Sequence, residues 1–340
     1  MRILMAGYGT VGKGFADVLE ARRDLLIERY GEENLPRIVC VMDSRTVVRD
    51  PAGIDMKALE KRKDEKGTVG DETYTDSLAV IDSVGFDLLV EVSPTNIEDG
   101  GAGLRNIRRA LERGKDVITV NKGPLALCFK ELLDLAVQNE CKLKFEGSVG
   151  GAMPIINLCH SNLRGEKIRS IRGILNGTCN YILTKMDNGQ PFEQALKEAQ
   201  QRGYAETDPT NDIEGFDAAA KVTILANSVF HRDVTIRDVK ITGISSITPD
   251  AIALAASRNM VIRLIGEVSD TKLEVSPRLI PKGHPLAISG TLNKAVIDAD
   301  LAGPITVSGR GAGRIETASA ILGDLLSVMD SRIGKKHTSK

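Results

Sequence analysis

The chain has 340 residues, 42% of them hydrophobic, and carries 45 Lys and Arg against 46 Asp and Glu, a formal net charge of −1. That length allows two domains with a sizeable core. A balanced charge without a basic stripe interleaved with aromatics argues against a nucleic-acid partner, and the apolar runs fall far short of a membrane span, so no membrane association is expected.

Residues 1–6 (Met-Arg-Ile-Leu-Met-Ala) read as a buried strand. Gly7, Gly9 and Gly12 follow at G-x-G-x-x-G spacing, and Val11, Phe15, Val18 and Leu19 recur at the spacing of one helical face. Strand, glycines and helix in this order are the context of a dinucleotide site. Gly7 permits the tight turn, Gly9 lets backbone approach a pyrophosphate, Gly12 lets helix and strand pack closely, and the helix start offers unpaired N–H groups to phosphate. Because a strand begins at the first residue, no signal peptide is expected. Five cysteines without C-x-x-C spacing suggest reduced thiols in a cytoplasmic protein and no zinc site. His160, His231, His284 and His337 are scattered without ligand spacing.

A second strand is expected over residues 37–42, ending at Asp43-Ser44-Arg45. An acid at this strand end suits the 2′-OH of NAD, and an arginine suits the 2′-phosphate of NADP. The chain offers both; Arg45, with Arg49 and Lys57 in the following stretch, favours NADP, and NAD stays open. Residues 50–76 are charged and glycine-rich, a helix and loop over the nucleotide edge. Strands over 86–92 and 117–120 alternate with helices over 102–113 and 127–137, which predicts a parallel, doubly wound sheet of the α/β class. Ser93 and Lys122 follow the carboxyl ends of two such strands, where ligands sit in these sheets. A short strand over 143–145 leads into Glu146-Gly-Ser-Val-Gly-Gly-Ala-Met-Pro154. There one carboxylate and the carbonyls of a glycine-rich turn could hold a hard cation, or the turn could simply open a helix.

The second half predicts a strand over 167–175, helices near Tyr181 and over 192–202, and then a dense polar cluster, Gly203 to Lys221. Asp212 is a candidate N-cap for the helix that follows. Asp217 and Lys221 stand at i, i+4 on that helix. Its remainder is almost wholly apolar, so the pair reads as buried, and a buried lysine beside an aspartate keeps its proton and its place. Alternating strands over 260–268, 273–279, 293–299 and 305–307 suggest antiparallel sheet in a second, α+β domain. Gly309-Arg-Gly-Ala-Gly313 then opens a last helix over 317–328, returning the chain to the nucleotide. The division expected is 1–145 with a returning helix at 309–330, a catalytic and dimerisation domain over 146–308, and a disordered basic tail at 331–340.

Taken together, Gly7-x-Gly9-x-x-Gly12, Val120-Asn-Lys122, Glu146-Gly-Ser-Val-Gly-Gly, Gly173-Ile-Leu-Asn-Gly-Thr-Cys-Asn-Tyr-Ile-Leu183, Gly203-Tyr-Ala-Glu206, Asp217-Ala-Ala-Ala-Lys221 and Gly311-Ala-Gly313 closely resemble homoserine dehydrogenase of the short type without an ACT domain. The resemblance covers the chain up to its basic tail. It implies a Rossmann-type first domain and the reversible NAD(P)-linked interconversion of L-aspartate 4-semialdehyde and L-homoserine, in threonine and methionine biosynthesis. It further implies Lys221 as the acid–base residue and Lys122 reaching cofactor and substrate. Glu206, Asp212 and Asp217 would contact homoserine, and Thr10, Val11, Ser93, Gly203 and Gly313 would line the nucleotide. A sodium ion would rest on Glu146 with the carbonyls of Val149, Gly151 and Met153, and the protein would be a homodimer without threonine control through an ACT segment. Cys179 stands where the family commonly has threonine.

The residues agree with that chemistry. Hydride arriving at an aldehyde carbon leaves an alkoxide that needs a proton, which Lys221 can give and, in reverse, take. Three readings compete. One is another NAD(P)-dependent amino-acid dehydrogenase, such as an aspartate dehydrogenase. Another is aldehyde oxidation to an acyl phosphate, which needs an activated cysteine that only Cys179 could supply. The third is a non-catalytic nucleotide sensor.

Overall fold

A computed structural model describes residues 1–333. The tail from Gly334 to Lys340 lies outside the described residues. The chain forms two compact units, one of Met1–Ser148 with the segment from Gly313 onward, the other of Val149–Ala312.

The first unit is built on a seven-stranded sheet. Its strands are β1 (Arg2–Ala6), β2 (Arg37–Met42), β3 (Thr46–Arg49), β4 (Glu72–Thr73), β5 (Leu88–Glu91), β6 (Asp116–Thr119) and β7 (Leu143–Lys144), in the order β4-β3-β2-β1-β5-β6-β7. β2, β1, β5, β6 and β7 run parallel, and β3 and β4 form an antiparallel margin. The parallel strands are apolar along most of their length because both faces are covered. From β1 the chain moves outward to β2 and later returns to β5 on the other side, so the direction of winding reverses between β1 and β5, the usual ligand crevice of such sheets.

The last helix, Arg314–Arg332, belongs to this unit. Its Ile321, Leu325, Val328 and Met329 pack with Ile3, Met5, Phe15 and Val90 in one core. Gly14 admits it, since a Cβ there would overlap the Arg314 carbonyl. Arg314 is clamped by Asp17 (2.6 Å) and Glu60 (2.9 Å). Arg332 donates to the buried Asp116 (2.6 and 2.9 Å), which also accepts from the Lys142 N–H. Ser331 and Arg332 are therefore helical, where a tail starting at residue 331 was expected. The helix starts at Arg314 because Gly309 and Arg310 still belong to a strand.

The second unit holds a six-stranded sheet of β8 (Ile168–Ile174), β9 (Lys240–Ile241), β10 (Met260–Ser269), β11 (Leu273–Pro281), β12 (Leu292–Ala299) and β13 (Gly303–Arg310), ordered β13-β12-β8-β10-β11-β9. All neighbours are antiparallel except β11 and β9. The Phe216–Val229 helix is buried continuously from Ala218 to Ser228 and packs against β10 and β11. Gly266 lets it close on the sheet, because a Cβ there would come within 2.7 Å of Val222 and 3.0 Å of Leu175.

Two local expectations change. Asp212 is not the N-cap of the Phe216–Val229 helix: it lies in its own short turn, Thr210–Ile213, and the helix starts after Gly215, whose φ of 86° only glycine adopts without strain. The helix expected over 127–137 starts five residues earlier, at Lys122, and runs to Gln138, capped by the Asn121 side chain accepting from the Gly123 N–H. That helix is irregular at Cys128, which explains why the apolar pattern reads as starting later.

Candidate functional site

In the first unit the glycine motif closes on the winding reversal. Gly7 has φ +103°, and a Cβ on it would sit 2.7 Å from the Val92 carbonyl and 2.8 Å from the Ser93 nitrogen. Gly12 meets the Gly7 carbonyl, and a Cβ there would be 2.6 Å from it. Gly9 differs: nothing lies within 4 Å of where its Cβ would be, so its backbone is open to an approaching group. The Thr10–Ala21 helix starts here with no side-chain cap, and Thr10 and Val11 are its first residues. Such a helix start with exposed backbone suits a pyrophosphate.

At the end of β2 the two candidate cofactor selectors part ways. Asp43 is consumed by the protein itself. One oxygen accepts from the N–H groups of Arg45 (2.8 Å) and Thr46 (2.7 Å), the other from Lys63 Nζ (2.7 Å) and the Val69 N–H (3.2 Å). Burial works to raise its pKa, but the hydrogen bonds from Lys63, Thr46 and Arg45 outweigh it and hold the carboxyl below the usual aspartate range. Arg45 is exposed at the tip of the turn that Asp43 shapes. Arg49 points elsewhere, to Glu72 (2.9 Å) and Ser83 (3.1 Å).

Ser93 and Lys122 stand on a buried network that sequence reasoning missed. Glu91, fully buried at the end of β5, accepts from the Ser93 N–H (2.9 Å), the Ser93 hydroxyl and Asn106 Nδ2 (2.9 Å). Burial pushes the Glu91 carboxyl up, against the hydrogen bonds from Ser93, Asn106 and Asn121. Asn121 donates to Ser93 Oγ (3.3 Å) and the Pro94 carbonyl (3.2 Å) while capping the helix that Lys122 opens. A cavity of about 550 Å³ in this unit, lined by Tyr8, Asp17, Glu20, Arg37 and Met56 among others, includes Lys57 but neither Arg45 nor the glycine motif, Ser93 or Lys122.

In the second unit the polar cluster converges on Lys221. The side chain is buried, and Nζ donates to Asp217 Oδ2 (2.7 Å) and to the Leu175 carbonyl (2.7 Å) at the end of β8. Asn176, the next residue, ties the acids together: its Nδ2 donates to Asp212 Oδ1 (2.6 Å) and Asp217 Oδ2 (2.9 Å), and its Oδ1 caps the Gly177–Asp187 helix through the Cys179 N–H. An Asn-Gly pair at a strand end was the available signal for such a cap. The Cys179 thiol is buried and donates to the Asp212 carbonyl (3.0 Å). Burial, reinforced by Asp212 and Asp217, pushes it well above the usual thiol range, which makes it a poor nucleophile. Glu206 and Gly203 are exposed and stand outside this hydrogen-bonded group.

Of the turn residues, Glu146 is buried in the first unit, and its N–H donates to Asp324 (3.0 Å). Val149, Gly151 and Met153 belong to the second. Gly151 has φ +57°, and Gly311 crowds the space where its Cβ would be; the Met153 carbonyl accepts from the Ile155 N–H (2.9 Å) and keeps a second lone pair. Among the described residues no three His, Cys, Asp or Glu side chains are grouped to hold a metal ion. Gly313, with φ +143°, precedes the last helix.

Comparison with known proteins gives one answer along the whole chain. Residues 7–146 match the family model described as homoserine dehydrogenase, NAD binding domain, and residues 154–326 match the homoserine dehydrogenase model. A homoserine dehydrogenase of Methanocaldococcus jannaschii is 48% identical, over 97% of this chain and 99% of the relative. An Archaeoglobus fulgidus structure assigned as a homoserine dehydrogenase superposes with a TM-score of 0.89 at 44% identity, covering 96% of this chain and 99% of that one. A hyperthermophilic archaeal homoserine dehydrogenase in complex with NADPH gives 0.84 at 29% identity, over 97% and 98% of the two chains.

Proposed function

Because this chain belongs to the homoserine dehydrogenase family, NAD(P)-dependent oxidoreductases, we propose that it interconverts L-aspartate 4-semialdehyde and L-homoserine within threonine and methionine synthesis. The observation that carries the reading is a buried ammonium, Lys221, pinned between a carboxylate and a strand-end carbonyl on a helix that is buried from Ala218 to Ser228. A nucleotide sensor has no use for so costly a group. The high-lying, buried Cys179 thiol disfavours acyl-phosphate chemistry.

The bound nicotinamide supplies or receives the hydride. Lys221 handles the proton: Nζ gives it to the substrate oxygen as the aldehyde is reduced and takes it from the hydroxyl as homoserine is oxidised. Asp217 and the Leu175 carbonyl hold Nζ in one place, so the proton is transferred without a search over rotamers. Lys122 adds positive charge for the oxygen as it becomes anionic and reaches the cofactor. Glu206 and Asp212 are the acceptors for the substrate ammonium, and Asp217 contacts homoserine. Gly7, Gly9 and Gly12 with Thr10, Val11, Ser93, Gly203 and Gly313 line the nucleotide. NADP is the favoured cofactor and NAD the alternative, since Asp43 is taken up by Lys63 and its own turn, which leaves Arg45 as the exposed selector.

A sodium ion held by Glu146 and the carbonyls of Val149, Gly151 and Met153 fits the hard oxygen donors present. A cytoplasmic homodimer completes the reading. β13 is an edge strand of the second sheet, the kind of margin at which a second copy can be met.

Direct tests follow from these assignments. Oxidation of homoserine, followed as NADPH or NADH appears, is expected from the purified protein; turnover of aspartate in its place would favour the amino-acid dehydrogenase alternative. Lys221→Ala should lower kcat by about a thousandfold, with NADPH binding by fluorescence unchanged; parental turnover would remove Lys221 from the chemistry. Arg45→Ala should weaken NADP about tenfold relative to NAD, and an unchanged ratio of the two kcat/KM values would exclude Arg45 as selector. A crystal grown in sodium should show oxygen ligands at about 2.3–2.6 Å beside Glu146, against the ~2.8 Å of a hydrogen-bonded water. Sedimentation velocity at micromolar concentration should give a dimer, and a monomer would contradict that part of the reading.

A further inference from the structure

Lys221 is not held by its own helix alone. The Leu175 carbonyl that accepts its ammonium at 2.7 Å also accepts Asn293 Nδ2 at 2.9 Å, so one oxygen joins the two side chains. Asn293 sits on β12, which pairs with β8 next to Leu175, and it is 1% exposed. Its amide is closely confined. A Cβ on Gly311 would overlap it, and one on Gly177 would stand 3.4 Å from its Oδ1. Glycine at 311 thus gives this amide room. Its Oδ1 is buried and has no hydrogen-bond partner among the described residues. Leaving such an acceptor unpaired is costly, a penalty that a purely packing residue of similar size, such as leucine, would not carry.

We propose that Asn293 is a positioning residue of the catalytic centre, which fixes Lys221 Nζ by holding the Leu175 carbonyl from its other side. The inference rests on the reading of Lys221 as the acid–base residue. A carbonyl oxygen with one partner can swing with its peptide; one bridged between β8 and β12 cannot, and the ammonium bonded to it inherits that rigidity. The other charges around Lys221 are Asp217 on its own helix and Asp212 and Glu214 just before it, with the Cys179 thiol beside them. The strands packed on the helix bring Arg263, Glu267, Glu274 and Arg278. Arg263 is paired with Asp187, Glu267 with Lys272, and Glu274 with Arg278.

Two substitutions test this in the homoserine oxidation assay. Asn293→Leu keeps the volume and removes the donor; kcat should fall about tenfold or more while the KM values for homoserine and NADP stay within about threefold. Asn293→Asp places a carboxylate across the shared carbonyl, which favours the charged form of the ammonium. Nζ must be unprotonated to accept the hydroxyl proton, so the rising limb of kcat should move to higher pH by about half a unit or more. The falling limb of aldehyde reduction should move in the same direction, because there Nζ must carry the proton. A loss of packing alone would reduce the active fraction and leave both limbs in place. That result, or parental kcat in Asn293→Leu, overturns the inference. NADPH titration and a thermal melt verify folding, and Asn293→Ser replaces either variant that fails them, with the same kcat loss expected and parental kcat again overturning. An inactive parent would instead sink the proposed function.

Discussion

A single carbonyl oxygen, that of Leu175 where β8 ends, organises the second unit's polar cluster. A buried lysine ammonium is stable only when its charge is paired and its hydrogens are taken up. Here Asp217 supplies the charge and Leu175 a second acceptor, and Asn176 ties Asp217 to Asp212. Removing Asp217 leaves Lys221 without its counter-charge, and removing Asp212 leaves an Asn176 N–H without its acceptor, so the polar cluster behaves as one unit rather than as separable contacts. The apolar length of the Phe216–Val229 helix keeps water out and makes each of these interactions stronger than it would be at a surface.

The first unit solves a different problem, that of bringing backbone rather than side chains to a ligand. Gly7 and Gly12 pack strand, turn and helix more closely than any Cβ would permit, and Gly9 is left open. Glu91 performs the corresponding task on the other side of the winding reversal, where one buried carboxyl gathers Ser93 and, through it, Asn121 and the start of the Lys122 helix. Asp43 shows the same economy. An acid that could have met a ribose hydroxyl is spent on shaping its own turn, which leaves the exposed Arg45 at the strand end.

Patterns with a fixed period or spacing were legible from the residues. The glycine motif, the alternation of strand and helix, the antiparallel second sheet and the Asp217–Lys221 pair all follow from local rules, and the structure shows each of them. What escaped depends on partners remote in sequence. Asn293 meets Leu175 across 118 positions, Glu146 meets Asp324 across 178, and no local pattern announces either. Gly14 looks like an ordinary helix residue until the last helix arrives against it. Asp212 reads as a cap by its type, but Gly215 displaces that role because the chain must turn through a positive φ before the helix begins. The C-terminal helix runs past its apolar pattern to Arg332, which pairs with Asp116 more than two hundred positions away in sequence.

Proton exchange between Lys221 Nζ and the substrate oxygen can be examined in a crystal structure of the protein with NADP and homoserine bound. The homoserine hydroxyl oxygen is expected within about 2.6–3.2 Å of Lys221 Nζ, with Asp217 and Leu175 still in place. A bound homoserine whose hydroxyl is held by other groups, beyond hydrogen-bond reach of Nζ, would contradict it.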